Sequence, residues 1–164
     1  ALTRQGVPVL ERGDDQATPE TLAHARHTAK GGYVLQECSG GTPEVILIAT
    51  GSEVSIALEA RTILESKGTP TRVVSMPCVE WFEEQTAQYR ESVLPAKIRA
   101  RVSVEAGIAL GWQRYTGDYG RNVSLEHFGA SADAATLYRE FGLTSDAVVA
   151  AAHKSLAQVK ESVS

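Results

Sequence analysis

The stretch Glu44–Lys67, EVILIATGSEVSIALEARTILESK, constrains the fold of this chain more than any other part of it. Val45–Ala49 is a continuous apolar run with β-branched residues, short enough for a strand buried on both faces. Thr50-Gly51-Ser52-Glu53 fits a capping box, in which the Thr50 hydroxyl accepts from the Glu53 amide and the Glu53 carboxylate accepts from the Thr50 amide. In the helix that follows, Ser55, Glu59, Thr62 and Ser66 share one stripe. Val54, Ile56, Ala57, Leu58, Ala60, Ile63 and Leu64 cover much of the remainder. Arg61 and Glu65 interrupt that apolar surface at an i,i+4 spacing that lets them pair. Gly68 supplies a stop, and Thr71–Ser75 reads as the next strand. Strand, helix and strand in that order form a right-handed βαβ unit with two parallel strands, around which everything else must pack.

The flanking segments fill in an α/β sandwich of three layers. Tyr33-Val34-Leu35 is a short strand, and the turn Ser39–Pro43 is too short for a parallel crossover, so an antiparallel neighbour is expected. Cys78–Leu94 reads as a helix broken near Gln85-Thr86 and ending before Pro95. Ile98–Val104 alternates apolar and polar residues, the pattern of a half-buried strand, and Asn122–His127 reads as a last strand. Ser131 can cap a helix over Ala134–Phe141, Gly142 stops it, and Thr144 or Ser145 caps a final helix, Asp146–Lys160. At the other end, Ala1–Leu10 reads as the end of a strand and a turn, since Gly6 and Pro8 exclude a helix. Glu11–Lys30 is a polar connector with a short helical turn after Thr18-Pro19-Glu20, and globular structure resumes at Gly31-Gly32. The 164 residues suit one domain plus an extension.

Several function classes are disfavoured. The formal charge is −4 and basic residues do not cluster, so no nucleic-acid surface is expected. No segment approaches the roughly 20 apolar residues that span a bilayer, and no charged n-region precedes an apolar h-region. Cys38 and Cys78 stand alone without metal-ligand spacing, which suggests a reducing, cytoplasmic setting and no disulfide. The chain begins at Ala1 without methionine, as expected of a processed product or a piece of something longer.

Thr50, Gly51 and Ser52 lie where a strand hands over to a helix, a place that suits an anion on helix N–H groups. The competing reading, which we prefer, is that the capping box already satisfies those amides and that Glu53 repels a phosphate. No GxGxxG or GxxxxGK[ST] run supports a nucleotide. Gly117-Asp118-Tyr119-Gly120-Arg121-Asn122 is superficially similar to a thiamine diphosphate and metal motif. Tyrosine replaces its second glycine, however, so it reads as a surface loop and no metal site is expected. His24, His27, His127 and His153 read as exposed or structural. Trp81, Phe82, Tyr89, Trp112, Tyr115 and Tyr119 read as filling a sheet–helix interface or covering a neighbouring domain, and Glu80, Glu83 and Glu84 as a solvated face. Arg4, beside a glycine turn, could grip a phosphate bidentately.

Five segments together carry a family resemblance. They are Ile46–Val54 (ILIATGSEV), Arg72–Pro77 (RVVSMP), Tyr89–Pro95 (YRESVLP), Ala100–Gly107 (ARVSVEAG) and Phe128–Ala132 (FGASA). In this order the chain resembles the C-terminal domain of transketolase over nearly its whole length. The resemblance implies a mixed, mostly parallel five-stranded sheet with one antiparallel strand, in an α/β/α sandwich. It also implies a division into the end of a pyrimidine-binding domain (1–10), an interdomain linker longer than in familiar relatives (11–31) and the C-terminal domain proper (32–164). Transketolases carry two-carbon ketol units between ketose and aldose phosphates of the pentose phosphate pathway, using thiamine diphosphate and a divalent cation, Mg2+ or Ca2+. Those groups are held by two preceding domains and across a homodimer, so the resemblance implies no catalytic residue and no bound cofactor in this chain. It leaves a structural or regulatory role, the alternative being a small-anion or nucleotide-binding module at Thr50, Gly51 and Ser52. Leu2-Thr3-Arg4-Gln5 is similar to the end of the pyrimidine-binding domain, whose arginine contacts the sugar phosphate, which makes Arg4 the best candidate site. Asp133 stands where the family often has proline, at a helix start.

Overall fold

The computed structural model describes residues 5–13 and 15–162. Five strands form one sheet: β1 (Tyr33–Gln36), β2 (Val45–Ala49), β3 (Thr71–Ser75), β4 (Ala100–Val104) and β5 (Arg121–Val123). Their order across the sheet is β1-β3-β2-β4-β5, with β1 antiparallel to β3 and every other pairing parallel. The mixed sheet with one antiparallel strand is therefore as expected. The short turn after β1 does reverse the chain, but β1 pairs with β3 and not with its sequence neighbour β2. Inserting β3 beside β2 satisfies the right-handed βαβ crossover through α1 (Val54–Ser66) and leaves β1 the outer edge.

Side chains alternate across the strands and so build two cores. One face presents Val45, Leu47 and Ala49 of β2, Val73 of β3, and Ala100, Val102 and Val104 of β4 to α1 and the long terminal helix α6 (Ser145–Glu161). The opposite face presents Ile46, Ile48 and Val74 to three short helices, α2 (Val79–Glu83), α3 (Ala87–Val93) and α4 (Gln113–Thr116). Phe82, Trp112 and Tyr115 fill that second core, with Phe82 and Tyr115 rings 6.3 Å apart and tilted. The break expected near Gln85-Thr86 is present, because the Thr86 side chain caps α3 by accepting from the Tyr89 amide.

Three local expectations are corrected. β4 is not half-buried: Arg101 and Ser103 face the second core, Ser103 is itself buried, and both spend their polar atoms on protein partners. Arg101 donates to the carbonyls of Ile98 (2.8 Å), Tyr115 (2.7 Å), Leu94 (3.2 Å) and Pro95 (2.8 Å), so a residue that looks solvent-facing ties helix ends to the sheet. β5 is only Arg121–Val123, with the chain leaving the sheet before Ser124. Asp133, not Ser131, caps α5 (Ala134–Glu140), accepting from the Thr136 amide at 2.9 Å. The strand end expected in Ala1–Leu10 falls largely on residues 1–4, outside the described residues; residues 5–10 form no strand.

The polar connector packs onto the domain. Thr18 does start a turn, its hydroxyl accepting from the Thr21 amide at 2.9 Å, and a 3-10 helix follows over Ala25–Lys30. Gly13 and Ala23 donate backbone bonds to Leu22 (2.8 Å) and Leu35 (2.9 Å), and Ala23 is buried in the first core. Arg61 pairs with Glu65 as the spacing predicts, at 3.9 Å. Its shorter bonds go to carbonyls, those of Thr71 (3.1 Å), Pro19 (3.2 Å) and Glu37, which clamp the connector to α1 and β3. Gly31 must be glycine: it lies at φ +76°, and a Cβ there would come within 2.3 Å of the Cys78 carbonyl oxygen.

Candidate functional site

In an open α/β sheet the crevice for a ligand lies beyond the carboxyl ends of the strands, where the strand order reverses. Here the chain moves from β2 to β3 on one side and then crosses to β4 on the other, so that point falls between β2 and β4. A cavity of about 470 Å³ opens there, with Thr50 after β2, Met76–Glu80 after β3, Glu105 after β4, and the Leu110–Tyr115 segment as its outer wall. Glu105 accepts from the Trp112 indole at 2.5 Å, which fixes that wall. Glu83 is not solvated with its neighbours as the acidic run suggests. It accepts from the Tyr115 hydroxyl (2.9 Å) and the Arg114 guanidinium (2.7 Å). Burial, and then the bond to Glu83, push the Tyr115 phenol up to about 12. The cleft thus carries Glu80 and Glu105, while its cation Arg114 is paired to Glu83.

Thr50–Ser52 forms the ridge between this cleft and a second cavity, of about 270 Å³, bounded by Val7, Pro8 and Leu10 of the N-terminal segment. The expected capping box is not formed. Thr50 makes no side-chain cap bond, Gly51–Glu53 is a 3-10 turn with Gly51 at φ +55°, and the Glu53 amide bonds the Thr50 carbonyl at 3.2 Å. The Glu53 carboxylate is instead buried, 4% exposed, and accepts from the Tyr138 hydroxyl of α5. Ser52 Oγ lies 2.9 Å from both Glu53 Oε1 and the Tyr138 oxygen. The Gln5 amide nitrogen donates to that same Tyr138 oxygen at 2.8 Å. Burial, then the bond to Glu53, raise the Tyr138 phenol above its ordinary value. The structure thus joins Ser52 of the predicted trio to Glu53, Tyr138 and Gln5.

Arg4 lies outside the described residues, and Gln5 is the first residue described. Tyr138 carried no sequence signal: its partner Gln5 is 133 positions away. The aromatic expectation holds for Phe82, Trp112 and Tyr115, whereas Trp81 is half exposed and Tyr119 stacks on the Arg99 guanidinium, 3.8 Å from its ring centre. His127 is exposed, with its ring edge against Phe141.

Asp118 of the Gly117–Gly120 loop is exposed, and the described residues include no group of three His, Cys, Asp or Glu side chains placed to hold a metal ion. No described helix is long and apolar enough to cross a membrane.

Residues 31–144 match the model of the transketolase-like TK C-terminal domain. The chain is 52% identical over 159 residues to the transketolase of Mycobacterium tuberculosis, an alignment covering 94% of this chain and 21% of that protein. It is 53% identical over 153 residues to the chloroplastic transketolase of Solanum tuberosum, covering 93% and 19%. Among solved structures, transketolase from Pichia stipitis in complex with sedoheptulose 7-phosphate superposes with a TM-score of 0.76 at 34% identity, covering 89% of this chain and 20% of that one. The chain therefore spans about a fifth of the length of the relatives it matches.

Proposed function

We infer, from the premise that this chain belongs to the transketolase-like C-terminal domain family, that it is the C-terminal-domain part of a longer enzyme of that kind. The longer protein would transfer two-carbon ketol units between ketose and aldose phosphates as a homodimer, and the present residues would support that fold without catalysing the reaction. The observation that carries this reading is the pairing of 52% identity across 94% of this chain with coverage of only 21% of the relative. Residues 1–10 would close the preceding pyrimidine-binding domain, 11–31 connect, and 32–164 form the C-terminal domain. Thiamine diphosphate and its divalent cation would be held by the preceding domains, and no step through them is assigned to these residues. Two free cysteines, one of them buried, fit a reducing compartment such as the cytoplasm.

Arg4 is the residue proposed to meet the substrate. A guanidinium presents a planar fork of donors that matches a phosphate, and binding energy gained there is remote from the reacting carbon. The alternative of an anion at Thr50, Gly51 and Ser52 draws no support from the local charge, because Glu53 stands in that turn and Glu105 across the cleft. In the intact enzyme, Arg4→Ala is expected to raise KM for phosphorylated sugars by about ten-fold or more. An unchanged KM rejects the assignment, and turnover of ketose and aldose phosphates by the 164-residue chain alone, given thiamine diphosphate and Mg2+, rejects the wider reading.

A further inference from the structure

A cavity of about 380 Å³ lies among α2, α3, α4 and β4, and Arg90, Arg101 and Arg114 all line it. The contacts of Glu83 bring these three side chains together. Arg90 donates to the Glu83 carbonyl, Arg114 donates to one carboxylate oxygen at 2.7 Å, and the Tyr115 hydroxyl donates to the other at 2.9 Å. Arg101 in turn donates to the Tyr115 carbonyl at 2.7 Å. Of the three, only Arg114 is paired with a carboxylate. Among the described residues, the acceptors of Arg90 and Arg101 are all neutral backbone carbonyls. A carbonyl satisfies an N–H without cancelling the charge, and a partly desolvated charge with no counter-charge is unfavourable. Burial pulls the Arg101 guanidinium below its ordinary value, and Glu91 on the cavity rim opposes that only in part. One oxygen of Glu91 is already spent on the Ala96 amide, at 2.9 Å. Donors also remain: Arg90 uses only Nη1 on its two carbonyls, which leaves its Nε and Nη2 groups for another acceptor.

We propose that this cavity binds a phosphate group, free or carried on a small metabolite, with Arg90 and Arg101 as its counter-charges and Arg114 at its edge. A planar carboxylate is met by one guanidinium fork, whereas a tetrahedral oxyanion takes donors from several directions. Arginines converging from α3, β4 and α4 suit the second shape. Ala87 and Leu94 line part of the same cavity and give the carbon skeleton of a phosphate monoester a place to lie. The site is distinct from Thr50–Ser52, where Glu53 and Glu105 oppose an anion. Arg114 and Tyr115 line both this cavity and the cleft beyond the strand ends, so an occupant braces the wall between the two. None of this depends on the chain being part of a longer enzyme.

The test uses the 164-residue chain, which contains both cores. It is titrated at constant ionic strength with inorganic phosphate, glycerol 3-phosphate and, as a planar control, acetate. The Nε–Hε cross-peaks of the arginines in NMR spectra follow the site directly. Phosphate and its ester should shift those of Arg90 and Arg101 with a Kd of about 1 mM, and acetate should bind about ten-fold more weakly. Tighter binding of the ester identifies a phosphorylated metabolite as the occupant, and tighter binding of inorganic phosphate identifies the free ion. Arg90→Gln should weaken binding about ten-fold and Arg114→Gln about three-fold. Glu91→Gln keeps an oxygen for the Ala96 amide but removes the charge from the rim, and should tighten binding about two-fold. Arginines that only tie carbonyls predict none of these changes. The absence of a shift at Arg90 and Arg101 up to about 20 mM phosphate overturns the proposal. An equal response to acetate, or shifts confined to the Gly51 and Ser52 amides, does the same. So does unchanged affinity in both Arg90→Gln and Glu91→Gln. Should Arg90→Gln fail to fold, Arg114→Gln and Glu91→Gln decide the matter, since both of those residues are exposed.

Discussion

The two faces of the sheet are built on different physics. On the first, α1 and α6 are long helices that lay small and aliphatic side chains (Ala57, Ala60, Val148 and Ala152) against a sheet surface of valine, leucine and alanine. Long helices satisfy most of their own backbone, so the buried guanidinium on this face, Arg61, serves strand and connector carbonyls rather than helix ends. On the second, α2, α3 and α4 are five, seven and four residues long, and helices this short leave most of their terminal carbonyls without an internal partner. Arginines supply the missing donors. Arg101 reaches four carbonyls, Arg72 donates to Ser92 (2.8 Å) and Val93 (3.0 Å), and Arg90 donates to Glu83 (2.5 Å) and Gln85 (2.9 Å). Large aromatic rings fill the remaining volume. A face of short helices can be stable, but only with polar ties to its helix ends that a long-helix face does not require.

The largest effect expected from this contrast is at the centre of the second face. Phe82→Ala should cost about 4 kcal/mol in urea unfolding of the chain, because the ring is 2% exposed and packs on Tyr89 and Tyr115. A loss below about 1 kcal/mol would show that the second face is not a true core. Next, Arg101→Met keeps the apolar stem but removes the donors, and should cost about 2 kcal/mol by orphaning four part-buried carbonyls. A neutral result would break the comparison, since it would mean the short helices need no such ties.

The smallest effects separate the faces by pH. Beneath the first face, Glu65 accepts from the amides of Thr71 (2.7 Å) and Ser39 (3.1 Å). Burial alone would raise its carboxyl, but those amides and Arg61 outweigh it and hold it below its ordinary value. Its contribution is therefore complete above the unfolded carboxyl value of 4.5 and lost as pH falls further. Tyr115 on the second face is raised from 10.0 to about 12, so its contribution is complete below 10 and lost as pH rises toward 12. Stability followed across pH should thus flatten on the acid side in Glu65→Gln and on the alkaline side in Tyr115→Phe. The same flattening in both variants would sink the distinction.

The legible parts of the sequence were those where one segment carries its own pattern. β2, α1 and β3 follow from a five-residue apolar run, a helical stripe and Gly68, which does take φ +78°. The partner of β1 was not legible, because a turn length fixes the direction of a strand and not the neighbour it finds. β4 misled through Arg101 and Ser103, whose polarity reads as exposure unless the carbonyls and Asn122 that receive them are known. Glu53 was legible as a residue that matters at a helix start, but its partner Tyr138 lies 85 positions further on. The glycine turn beside Arg4 suggested a phosphate grip only weakly and family likeness made it the leading candidate, whereas Gln5 and Tyr138 meet only in the fold.

The clamp that Arg61 places on the connector sets a practical limit on how far this polypeptide can be trimmed. Composition invites a cut at the Gly31-Gly32 pair, where the polar connector ends. That cut would strip the Pro19 carbonyl from a guanidinium buried beside α1 and open the slot filled by Ala23. Any shortened version meant for crystals or binding work needs its first residue ahead of Arg12, whose own guanidinium reaches the Ala23 carbonyl and the Tyr33 hydroxyl.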